Sequence, residues 1–98
     1  MVGGRAGVPP AIRHALQRAR RLLDAGREVE AAAIYERLAS RAYDRNRLRP
    51  GVQMDLEAAR AWLRAERLDA AQARALHALD ALLDRDRLPG LVVPIAAR

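Results

Sequence analysis

The chain is 98 residues long, is 51% hydrophobic and carries a formal net charge of +6 from 18 basic and 12 acidic side chains. That length makes one domain with a modest core, and the absence of cysteine excludes a disulfide framework and thiolate zinc sites. No apolar run reaches the roughly 18 residues of a membrane span, and the first ten residues lack the apolar centre of a signal peptide, so the cytoplasm is the expected setting and no membrane partner is expected.

Ala, Arg and Leu dominate while Phe and Thr are absent, a composition that favours helix. Every basic residue is arginine. Because that bias runs through the whole chain, it reads as GC-rich codon use in a bacterial genome rather than as a local anion site. The Gly-containing segment 1–9 reads as a flexible arm. Pro10 then suits the first position of a helix over 10–25, with Ile12, Leu16, Ala19, Leu22 and Leu23 forming one apolar stripe. Gly26 is a left-handed cap. A second helix is predicted over 28–45, with Glu28 and Glu30 at its start and Arg41 and Arg45 at its end, matching the helix dipole.

Pro50-Gly51 closes a predicted loop over 46–51. A third helix follows over 52–66, with Val52, Leu56, Ala59, Trp62 and Leu63 as its apolar set and Trp62 expected in the core. Asp69 is placed to cap a fourth helix running to Arg87, with a stripe of Ala71, Ala75, Leu76, Leu79, Leu82 and Leu83. Pro89-Gly90 stops it. The tail over 89–98 contains Leu91, Val92, Val93 and Ile95, an apolar run expected to dock on its own chain or to support self-association.

Two segments align at an offset of 40 residues, 22–38 and 62–78, each a helix, a very tight turn and a second helix that starts with small residues. The first resembles a tetratricopeptide repeat, through Gly26 in the turn, Ala31 at the helix crossing, Tyr35 between hairpins and Leu38 at the small-residue position. The second departs from that pattern, with Glu66 in place of the Gly and Ala75 in place of the aromatic, while Ala71 and Ala78 keep the small positions. The resemblance, over about residues 11–88, implies an all-α fold of two antiparallel hairpins; a plain four-helix bundle is the alternative. Two repeats are fewer than the roughly three that usually make a stable solenoid, so leftover apolar faces need cover.

Catalytic equipment is missing. Ser40 is the only serine and lies inside a helix without a nucleophile elbow, and no Gly-rich phosphate loop or cofactor motif is present. His77, Asp80 and Asp84 share one face of the fourth helix, which reads as a solvated polar face rather than a metal site because no further ligands converge by motif. The charge is uneven: residues 1–50 hold 11 Arg against 5 acids, and residues 51–98 hold 7 of each. Arg20–Asp24 and Arg41–Asp44 have the spacing of helical ion pairs.

These features point to a protein-interaction module rather than an enzyme. The resemblance implies a groove lined by helices 1 and 3, presenting Arg13, Gln17, Arg20, Arg60 and Arg64 to an acidic peptide or protein. A self-assembling homo-oligomer is the second reading, from the shortage of repeats and the apolar tail. Nucleic-acid binding through Arg41, Tyr43, Arg45, Arg47 and Arg49 is the third, with the tyrosine available for stacking.

Overall fold

The structure, a computed structural model, describes residues 8–86. It is all-α: α1 spans Pro10–Asp24, α2 Glu28–Asp44, α3 Leu48–Arg64 and α4 Leu68–Asp86, joined as antiparallel hairpins. The expected tail residues Leu91, Val92, Val93 and Ile95 lie outside the described residues, as does 1–7 of the expected arm.

A repeat of 20 residues, half the interval seen in the sequence, governs the path. Helices end at Asp24, Asp44 and Arg64 and restart at Glu28, Leu48 and Leu68. Each turn holds a left-handed residue at the same place, with φ of 78° at Gly26, 59° at Asn46 and 61° at Glu66. In each, the next residue's N–H closes on a carbonyl five back: Arg27 to Leu22, Arg47 to Ala42 and Arg67 to Trp62, all at 2.8 Å. This is the Schellman arrangement, which satisfies the last carbonyls of one helix while reversing the chain. Its left-handed site accepts Gly freely and Asn tolerably, whereas Glu66 holds it against a steric cost.

Three sequence expectations need correction here. Residues 48–51 are not loop but the first turn of α3. Proline is tolerated there because its missing N–H would have had no helical partner. Asp69 does not precede α4 but sits in its first turn, and Leu68 opens the helix. The leucines assigned to the core of α3 and α4 stay largely in solvent: Leu56 is 44% exposed, Leu63 51%, Leu76 51% and Leu79 48%.

The apolar core instead lies where α1, α2 and α3 meet. Ala19, Ala31, Ile34, Tyr35, Leu38 and Ala58 are buried there, with Ile12, Leu16, Leu22, Leu23 and Met54 packed around them. Alanines at these contacts let helix backbones approach closely, so the core is dense in backbone and poor in large side chains. Packing is sequential, α1 on α2, α2 on α3 and α3 on α4, and α1 does not close against α4 as a bundle requires. The array is accordingly flat, 51 × 42 × 15 Å, and its radius of gyration of 15.7 Å exceeds the roughly 13 Å of a compact domain this size.

Candidate functional site

Two assemblies of polar side chains stand out. The first is a cleft of about 320 Å³ between α1 and α3, lined by Arg20, Leu23 and Asp24 from α1, Tyr35 from α2, and Glu57, Arg60 and Arg64 from α3. Positions 60 and 64 lie 40 and 44 residues beyond position 20, and the repeat brings the two chain segments to one place. Tyr35 forms the floor. Its side chain is buried and lines the cleft, and its hydroxyl makes no hydrogen bond among the described residues. Burial pushes its pKa up, Glu57 and Asp24 push in the same direction, and Arg20 opposes them.

Arg60 is held loosely by Glu57 at 3.3 Å, while no ion pair engages Arg20 or Arg64 among the described residues. Arg20 does not pair with Asp24 as its spacing suggested, nor Arg41 with Asp44. Arg13 and Gln17 are exposed on the same face of α1, upstream of the cleft and outside its lining. The cleft therefore offers two unengaged guanidinium groups and a phenol, a donor set suited to a carboxylate.

The second assembly ties α2, α3 and α4 together around Asp55, which is fully buried. Tyr43 Oη donates to its Oδ2 at 2.8 Å, Arg74 Nη1 donates to its Oδ1 at 3.1 Å, and His77 Nδ1 lies 2.7 Å from Oδ2. A carboxylate only accepts, so the Nδ1 of His77 carries the proton. Beside it the indole N–H of Trp62 donates to Glu36 Oε2 at 2.7 Å, and Arg74 Nε lies 3.8 Å from the same oxygen. The Tyr43 and His77 rings meet edge to face, 5.4 Å between centroids. Gly51 makes room for this: a Cβ there would stand 2.5 Å from Tyr43 Cε1.

Several sequence readings change as a result. Tyr43 leaves the basic patch, because its ring is turned inward and its hydroxyl is committed to Asp55, which raises its pKa through burial and that hydrogen bond. Arg41, Arg45 and Arg47 do gather, beside Val8, Ile12 and Pro50 at a shallow cleft of about 150 Å³, and Arg49 is exposed next to them. Trp62 is only half-buried, at the α2–α3 seam under Arg67, whose guanidinium lies 5.6 Å from the ring centroid. His77 is separated in role from Asp80 and Asp84, since its ring faces Asp55 on α3. No group of three metal-ligating side chains forms among the described residues.

Asp55 carried no sequence signal, being an acidic residue flanked by an apolar helical pattern. The one available hint was the pairing of Gly51 with Asp55 one turn apart, a gap and a charge on the same face. No helix among the described residues is long and apolar enough to cross a membrane. No protein family, curated protein or solved structure matches the chain.

Proposed function

We propose that this chain is a cytoplasmic, tetratricopeptide-like interaction module that binds an acidic peptide segment in the cleft between α1 and α3. The observation that carries the reading is the convergence of Arg20, Arg60 and Arg64 around Tyr35. Bidentate guanidinium–carboxylate contacts supply affinity there, and the tyrosine adds a hydrogen bond without carrying charge. Ligand residues spaced to meet Arg20 and Arg64 at once select an extended acidic stretch over an isolated carboxylate.

The test is fluorescence anisotropy with a labelled glutamate-rich octapeptide at low salt. Replacing both Arg20 and Arg64 by Ala should weaken binding by about a hundredfold or more, since each lost charge-assisted contact is worth roughly 1.5–3 kcal/mol. Replacing Arg41 and Arg45 by Ala should leave it within about twofold, the scale of a screened charge outside the contact. The opposite pattern, together with retention of a DNA or RNA oligonucleotide that falls steeply with salt, would move the function to the second basic cluster and to nucleic acid.

A further inference from the structure

The two hairpins are equivalent at an offset of 40 residues, but only the first is covered. On α2, Tyr35 and Ala39 are buried and Glu36, Ala42 and Tyr43 half-buried, largely because α3 packs across them. Their equivalents on α4 are Ala75, Leu76, Leu79, Leu82 and Leu83. All five are exposed, the four leucines by 41–51% of their surface. On α3, Leu56 and Leu63 stand where α1 places the half-buried Leu16 and Leu23. Leucine on four of these five α4 positions is a pattern for burial, and the polar side of the helix, with Asp69, Asp80 and Asp84, lies next to the stripe rather than within it.

The sequence around the end of α4 is similar to the sequence around the end of α2. Asp44-Arg45-Asn46-Arg47-Leu48 is matched by Asp84-Arg85-Asp86-Arg87-Leu88, and a Pro-Gly pair follows both, at 50–51 after Arg49 and at 89–90 directly. In the first instance that stretch delivers the chain back onto the face of α2. We infer that residues 88–95 of this chain are the occupant of the leucine face of α4, as an apolar strap standing in for a fifth helix. The lengths agree. Leu76 to Leu83 spans about 10 Å of helix rise, and five extended residues from Leu91 to Ile95 reach about 16 Å. α4 runs two residues beyond the point equivalent to the end of α2, and in the sequence Pro89 disfavours helix at the residue before it while Gly90 permits a reversal. Pro94 keeps the strap from becoming a long helix. This inference is independent of the peptide cleft, which lies between α1 and α3.

Because the chain has no cysteine, paired substitutions report contacts cleanly. Leu79→Cys is combined in the full chain, one at a time, with Leu91→Cys, Val92→Cys, Val93→Cys or Ile95→Cys, after circular dichroism establishes native helix content for each. On mild oxidation at micromolar concentration at least one pair should close within a single chain, with the light-scattering mass of a monomer. Disulfides that form only between chains would assign the leucine face to a second copy and overturn the inference, as would the absence of any disulfide. As a second readout, Val92→Asp with Ile95→Asp should raise the fluorescence of an apolar-surface dye several-fold over wild type; unchanged fluorescence would also overturn it.

Discussion

The two sides of α2 are held by opposite means. Toward α1 the contact is apolar: Ala19, Ala31, Ile34 and Leu38 bury aliphatic surface, and the one polar group, the Tyr35 hydroxyl, makes no hydrogen bond among the described residues. Toward α3 and α4 the contact is organised by a buried carboxylate whose two oxygens take Tyr43, Arg74 and His77 from two other helices. An apolar contact degrades gradually as methylene groups are removed, and it tolerates rearrangement. A buried charge network is all or nothing, because removing one member leaves the others desolvated and unpaired. The same tight turn builds both seams, yet they should fail differently.

The largest effect that would sharpen this contrast is Asp55→Ala. It leaves the Tyr43 hydroxyl without its acceptor and Arg74, with a side chain only 21% exposed, with Glu36 at 3.8 Å as its one remaining carboxylate among the described residues. A loss of about 3–5 kcal/mol in urea unfolding is expected. A loss below about 1 kcal/mol would mean that the network is solvated and the contrast false.

The two tyrosines provide a matched pair. Tyr43→Phe removes a hydrogen bond to a carboxylate and should cost about 1.5–3 kcal/mol, whereas Tyr35→Phe removes a hydroxyl with no hydrogen-bond partner among the described residues and should cost under about 0.5 kcal/mol. Both phenols have raised pKa values in the folded chain, Tyr43 strongly. The stability they confer is therefore complete below the unfolded value of about 10 and is lost as pH climbs above it, when the unfolded chain ionises first. Thermal unfolding from pH 8 to 11 should show that decline, and Tyr43→Phe should flatten it more than Tyr35→Phe.

Gly51→Ala should destabilise by about 1–3 kcal/mol in spite of alanine's better helix propensity, because its Cβ meets the Tyr43 ring. Pairing it with Tyr43→Ala should relieve that cost, which a double-mutant cycle measures. The smallest effect has the opposite sign. Glu66→Gly should stabilise by about 0.5–1 kcal/mol, since residue 66 is left-handed at φ 61° and glycine adopts that conformation without strain. A destabilised variant would show that Glu66 contributes something beyond its turn.

Helix content, the number of helices and the tight turn at Gly26 were legible because they depend on local preference and short-range periodicity. The α1–α3 groove was legible in part: the offset of 40 placed Arg20, Arg60 and Arg64 on one side, but the floor under them, Tyr35, read only as filling between hairpins. The 20-residue turn was missed because its left-handed position is occupied by Gly, Asn and Glu in succession, and only the first is a strong signal.

By itself the sequence determined an all-α chain of helical hairpins with its excess positive charge in the first half, since propensity, capping and charge act through near neighbours. Tertiary structure alone decided which apolar stripes are buried. α1 finds α2 and α3 to cover its leucines, while α4 stands at the end of an open array and keeps its own in solvent. It also decided that an aspartate in the middle of α3 is the most deeply enclosed charge described, because the partners that make its burial tolerable, Tyr43, Arg74 and His77, come from two other helices 12 to 22 residues away.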